Sequence, residues 1–168
     1  MFEIATLNID LPKPELYRQL ADELEALVTG ERDAIANMAN MSALLFHGLP
    51  DLNWAGFYLM RNGELVLGPF QGKPACVRIA VGRGVCGTAV AERRSIVVPD
   101  VHAFPGHIAC DSASRSELVV PLIREGRVIG VLDLDSPIIE RFDHDDRDGC
   151  ERLVHILLNA SDALSRAT

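Results

Sequence analysis

No apolar run in this sequence approaches the roughly 18 residues that a membrane-spanning helix requires. The N-terminal MFEIATLNID has an acid at Glu3 where a signal peptide would be basic and then apolar. No membrane segment or leader is therefore expected, and the chain reads as a soluble, cytoplasmic protein. Basic residues are also scarce, since 16 Lys and Arg stand against 24 Asp and Glu, a formal net charge of −8. Neutralising nucleic-acid phosphates needs the opposite balance, so no nucleic-acid partner is expected. Close Cys-x-x-Cys pairs, the usual signature of structural zinc, are missing. No linker, repeat or low-complexity stretch divides residues 1–168, which are read as one domain burying roughly two thirds of its unfolded surface.

What the sequence does have is four cysteines, Cys76, Cys86, Cys110 and Cys150. In a reducing compartment these should rest as thiols, which makes them catalytic, metal-binding or core residues rather than a disulfide framework. Cys110 stands apart because PGHIACDSASRSE, from Pro105 to Glu117, is built as a loop: Pro105 and Gly106 break regular structure, and Asp111, Ser112, Ser114 and Ser116 favour turns. Unreactive cysteines tend to be buried, whereas reactive ones need partial exposure. Cys110 is the candidate nucleophile. Cys150 falls beside the apolar stripe of the last helix and reads as packing.

The periodicity predicts the order helix, helix, about six short strands with one small helix inserted, and a closing helix. Leu16, Leu20, Leu24 and Leu27 mark the first helix, over 15–27; Ile35, Met38, Ser42 and Leu45, with Ala34, Ala39 and Ala43, mark the second, over 31–46. Asn62-Gly63 between WAGFYLMR and ELVLGPF is a strong hairpin signal, and Glu125-Gly126 joins a second hairpin, 117–124 with 127–135. Short strands are expected at 75–81 and 95–98, and a short helix at 85–92. Leu153, Ile156, Leu157, Ala160 and Leu164 define the last helix, over 143–165. The fold class is α+β: a mainly antiparallel six-stranded sheet with the N- and C-terminal helices on one face and site loops on the other.

Several constellations compete for the chemistry. Gly82, Gly84 and Gly87 match G-x-G-x-x-G, but hairpins deny the parallel crossover that a dinucleotide site requires, so a tight strand-to-helix turn is the better reading. His107 with Cys110, and His102, Cys76 and Cys86 as further donors, would make a metal set without the expected spacing. A histidine base for a thiol hydrolase would have to come from the same loop as its nucleophile, where it is hard to hold rigidly. The acids are more informative. In VLDLDS, Leu132 and Leu134 point to one face while Asp133 and Asp135 point to the other, and the hairpin brings Glu117 beside them. A solvated sheet face is the bland alternative. Three acids converging on one thiol favour a site, because clustered carboxylates raise one proton affinity and leave an acid able to donate near neutral pH. Trp54 and Tyr58 share a face of the first strand, with a gap at Gly56, and suit either a pocket floor or core.

NWAGFY at 53–58, LGPFQGKPAC at 67–76, GVCG at 84–87, HIACDSASRSELVVPL at 107–122 and GVLDLDSP at 130–137 resemble the free methionine-R-sulfoxide reductases, enzymes of the GAF fold. The resemblance extends over nearly the whole chain from the first helix onward. It implies that Cys110 attacks the sulfur of free methionine (R)-sulfoxide, releases methionine and is left as a sulfenic acid. It makes Glu117, Asp133 and Asp135 the substrate-binding acids, and has Trp54 and Tyr58 enclose the methyl-sulfoxide end. Cys76 would resolve the sulfenic acid as a disulfide reduced by thioredoxin, with Cys86 an alternative or assisting resolver. No metal and no cofactor is implied, and a homodimer is expected. The alternative function is a ligand- or redox-sensing GAF module without catalysis. A sensor would normally carry an output domain, and the acid cluster would have no purpose in it.

Overall fold

Two hairpins generate the sheet, and each turns through two successive residues of positive φ, as a right-twisted two-residue turn demands. Asn62 (51°) and Gly63 (87°) join β1 (Trp54–Arg61) to β2 (Glu64–Gly72); Glu125 (49°) and Gly126 (73°) join β5 (Ser116–Arg124) to β6 (Arg127–Ser136). The computed structural model describes residues 8–106 and 112–163, so Cys110, His107 and Leu164 lie outside the described residues. β1 and β6 pair in the middle of the sheet, β3 (Arg78–Ala80) and β4 (Ile96–Val98) form its edges, and the order is β3-β2-β1-β6-β5-β4 with every pairing antiparallel.

The pleat separates two cores. Ala55, Phe57 and Leu59 of β1, Leu118, Val120 and Leu122 of β5, and Leu132 and Leu134 of β6 face a layer of three helices: α1 (Lys13–Val28), α2 (Ala34–Gly48) and the final helix, α4 (His144–Ala160). The alternate residues Trp54, Tyr58, Val119 and Val131 face the other way. There they pack with α3 (Gly84–Glu92). The predicted α+β architecture is thus the observed one, with α3 as the only helix on the site face among the described residues. A 3₁₀ turn over Val101–Ala103, not anticipated, follows β4.

Two of the helices begin at an aspartate that caps their free N–H groups. Asp33 caps α2, accepting from the Ala36 N–H at 2.9 Å. Asp143 caps α4, accepting from Asp145 and Asp146, while the Asp146 side chain accepts from the Asp143 N–H in return. The stripe expected for α2 needs one correction. Met38, Ser42 and Leu45 are buried as expected, but Ile35 and Ala39 are exposed, and Asn37 and Met41 take the place inside. Both polar residues have partners that offset the cost of burial: the Asn37 amide N–H groups donate to Ser161 Oγ and Glu31 O, and Ser42 donates to Met38 O. Cys150 is fully buried and its Sγ lies 3.7 Å from the Tyr17 hydroxyl; burial pushes its thiol up to about 12, as suits a packing residue.

One charge is buried in the helix layer. Asp146 accepts from Lys13 Nζ, from Tyr17 OH at 3.0 Å, from Arg141 Nη1 at 3.1 Å and from the Asp143 N–H at 3.0 Å. It ties α1 to the start of α4.

Candidate active site

The site is built on the face opposite the three-helix layer, beginning with β1. Gly56 lies between Trp54 and Tyr58, and a Cβ placed there would come 2.3 Å from Phe70 Cβ and 2.8 Å from the Trp54 ring. The missing side chain therefore makes room for aromatic stacking. Trp54 lies between Phe70, at 5.3 Å and 14°, and Tyr58, at 5.9 Å and 26°. Their polar ends are anchored to the connection that follows β2: Trp54 Nε1 donates to the Lys73 carbonyl at 3.1 Å and Tyr58 OH to the Cys76 carbonyl at 3.0 Å. Both side chains are buried and both line a cavity, so the pocket and core readings of this pair hold together.

Register brings the acids to the same place. Glu117 pairs with Asp135 across β5 and β6, Val119 pairs with Asp133, and on the other side of β6 Asp133 lies opposite Gly56 and Asp135 opposite Trp54. Glu117, Asp133 and Asp135 all line the cavity that Trp54 and Tyr58 line. Glu117 and Asp133 are each 6% exposed, whereas Asp135 is half-buried. The solvated-face alternative is excluded for the first two.

The third wall is α3, delivered by the glycine run. Gly82 and Gly84 have φ of 79° and 60°, the Gly82 N–H donates to the Gly87 carbonyl at 2.8 Å, and a Cβ on Gly87 would lie 2.3 Å from the Ala80 carbonyl. This is the tight strand-to-helix turn that was expected, and no parallel strand accompanies it among the described residues. The turn sets Cys86 against the acids, with its Sγ 4.0 Å from Glu117 Oε1. Donor atoms of Cys86, Glu117 and Asp133 lie within 4.8 Å of one another.

Electrostatics follow from that crowding. Burial first, and then the Asp133 and Asp135 carboxylates, push Glu117 well above the ordinary carboxylate range. Burial also pushes Asp133 up to about 7, partly offset by hydrogen bonds with Cys86 and Glu117. The Cys86 thiol is raised by burial and by the same two acids, and Tyr58 by burial and Asp133. The arrangement is a pair of carboxyl groups that retains a proton toward neutral pH, next to a thiol kept protonated. Asp133 Oδ1 is buried and has no hydrogen-bond partner among the described residues.

Of the residues singled out from sequence, Trp54, Tyr58, Cys86, Glu117, Asp133 and Asp135 are brought together. Cys76 is half-buried and disulfide-bonded, while Cys86 and Cys150 are free thiols. Cys110 lies outside the described residues. His102 is exposed on the 3₁₀ turn and is not among the residues that line the cavity. Three polar lining residues were not anticipated as part of the site: Lys73 and Arg83, which are exposed, and Ser114, whose Oγ accepts from Asn53 Nδ2 at 3.0 Å. Arg83 was legible only as a spacer inside the glycine run.

Comparison with known proteins agrees with this geometry. Residues 13–161 match the GAF domain. The chain is 56% identical over 142 residues to the free methionine-R-sulfoxide reductase of Escherichia coli, covering 84% of this chain and 86% of that protein. It is 44% identical over 156 residues to the enzyme of the same name from Saccharomyces cerevisiae, covering 88% and 87% of the two chains. Among solved structures, the free methionine-R-sulfoxide reductase of Neisseria meningitidis in complex with its substrate superposes with a TM-score of 0.88 at 47% identity, over 92% of this chain and 94% of that one.

Proposed function

This chain belongs to the free methionine-R-sulfoxide reductases of the GAF domain family, and we propose from that membership that it reduces free L-methionine (R)-S-oxide to L-methionine through Cys110, with thioredoxin as reductant. The observation that carries the reading is the buried carboxyl pair, Glu117 with Asp133, on the floor of an aromatic-walled cavity. Sulfoxide reduction needs a proton for the departing oxygen, and a carboxyl group kept neutral by burial and by a neighbouring carboxylate supplies one. The Cys110 sulfur attacks the sulfoxide sulfur, the oxygen takes that proton, methionine leaves, and the oxygen remains on Cys110 as a sulfenic acid. Cys76 then condenses with it to a disulfide, releasing water, and the thioredoxin dithiol reopens the bond.

Charge distribution supports a free amino acid as substrate. Acids lie at the buried end and the exposed Lys73 and Arg83 at the rim, which matches an ammonium at one end of the ligand and a carboxylate at the other. Backbone N–H groups of the Cys110 loop are further partners for that carboxylate. Trp54 and Tyr58 offer the methyl-sulfoxide end the ring contacts that sulfur favours. Cys76 is assigned the resolving role over Cys86 because it is already the engaged thiol, whereas burial and two acids disfavour the Cys86 thiolate that resolution would need. No helix among the described residues is long and apolar enough to cross a membrane; a cytoplasmic location and a homodimer, with the N-terminal helices as candidate contact, complete the proposal.

Methionine release from the separate R and S epimers of free methionine sulfoxide, and from a blocked peptide analogue, tests the whole reading with dithiothreitol as reductant. Turnover is expected for the free R epimer alone and is expected to be lost in Cys110→Ser. Failure of all three substrates with reduced thiols would return the chain to a ligand-sensing role.

A further inference from the structure

We propose that Cys86, Glu117 and Asp133 form a binding site for one soft divalent cation, Zn²⁺ foremost, on the floor of this cavity. The three donors come from three different rigid elements, α3, β5 and β6, so their spacing is held by the fold rather than by a loop. Their ligating atoms lie within 4.8 Å of one another, with Cys86 Sγ 4.0 Å from Glu117 Oε1. In a tetrahedral zinc site, with Zn–S of about 2.3 Å and Zn–O of about 2.0 Å, neighbouring donors are about 3.3–3.6 Å apart. Contraction by under about 1.5 Å, within side-chain rotation, therefore completes three corners.

A second observation, independent of the clustering, points to a cation. Asp133 is 6% exposed and lines the cavity, its Oδ1 is buried with no hydrogen-bond partner, and no Lys or Arg is paired to the side chain among the described residues. A buried oxygen without a partner costs free energy, and a cation ligated there removes that cost. The donor set selects which ion. One thiol sulfur with two carboxylates is too soft for Mg²⁺ or Ca²⁺, which take oxygen ligands alone, and suits Zn²⁺ or Co²⁺. Coordination requires the Cys86 thiolate and both carboxylates, so uptake releases to solvent the thiol proton and the proton retained by the carboxyl pair. The fourth corner faces the cavity and is left for water. Such an ion is no cofactor of the proposed reduction: where the substrate ammonium uses the same acids, the ion competes with it and inhibits. Only that last consequence rests on the proposed function.

Binding can be read without turnover, so the site and the reductase reading stand or fall separately. Wild-type protein with the Cys76 disulfide formed is titrated with Co²⁺ and followed by the thiolate-to-cobalt charge-transfer band, with Zn²⁺ added to displace it. One equivalent is expected, with the band abolished in Cys86→Ser and retained in Cys150→Ser. Asp133→Asn, which keeps the thiol, should weaken Co²⁺ binding at least about tenfold. Circular dichroism checks that each variant is folded. Absence of the band in wild type, its persistence at full strength in Cys86→Ser, or unchanged affinity in Asp133→Asn would overturn the site.

Discussion

Asp146, in the first turn of α4, and Asp133, near the end of β6, are both almost wholly removed from solvent, on opposite sides of the sheet. Their surroundings differ in one respect. Asp146 has Lys13 and Arg141 as ion-pair partners, with Tyr17 and the Asp143 N–H completing its hydrogen bonds. Asp133 has a second acid and a thiol as neighbours, and one oxygen with no partner among the described residues. A buried charge whose countercharge is supplied by the fold acts as a fastening. A buried carboxyl group left without one is held toward its neutral form and favours a cationic ligand, and the same molecule shows both arrangements on adjoining elements, β6 and α4.

The comparison is open to direct attack. Asp133→Asn should lower kcat/KM for free methionine (R)-sulfoxide by about a thousandfold, the range lost when a positioned acid or base is removed, while leaving thermal stability at neutral pH no lower than wild type. A normal rate in that variant would reduce Asp133 to a second fastening. Asp146→Asn should do the reverse, costing about 3 kcal/mol in urea unfolding because it leaves two cations without their buried partner, with kcat/KM of the folded protein unchanged. Equal loss of activity in both variants would erase the distinction.

Acidity sharpens it further. The folded-state affinity of Asp133 for its proton, about 7, exceeds the unfolded 3.8, so the folded protein holds more protons between those values. Stability is therefore full below the lower value and falls as pH rises toward the upper one, and Asp133→Asn should flatten that slope. Asp143 runs the opposite way. Against the opposing effect of burial, hydrogen bonds from Lys13 and from the Asp146 and Asp145 N–H groups lower it to about 2, so its contribution is present above the unfolded 3.8 and is lost as pH falls. Asp143→Ala should cost about 1 kcal/mol at neutral pH, the ordinary value of a lost helix cap, and leave catalysis untouched. Urea midpoints across pH distinguish the two slopes.

How much of this could be read from residues alone depends on the distance over which each signal acts. Asn62-Gly63 and Glu125-Gly126 announced both hairpins because a two-residue turn is a local event, and strict alternation in VLDLDS put Asp133 on the site face for the same reason. Ile35 misled because its apolar side chain was preferred to Asn37 for the buried side of α2, whereas Asn37 can lie inside once the fold supplies Ser161 and Glu31 as partners. Those partners include one 124 positions away. The Lys13–Asp146 pair is equally remote, spanning 133 positions, and nothing in either neighbourhood advertised it. Cys86 stood out as a thiol by its motif, but its contact with Glu117 depends on where α3 crosses the sheet, a matter of tertiary packing.

The anchoring of Trp54 has a practical corollary. This is the sole tryptophan in the chain, and its indole N–H is bound to the Lys73 carbonyl, three residues before the disulfide-bonded Cys76. Indole emission from the protein therefore comes from a single fluorophore, with Tyr58 and Phe70 stacked against it and acids of the cavity on the strand paired with its own. Occupancy of the cavity and the redox state of the adjoining thiol both alter that one environment. The molecule carries its own optical probe, usable in real time and without a label.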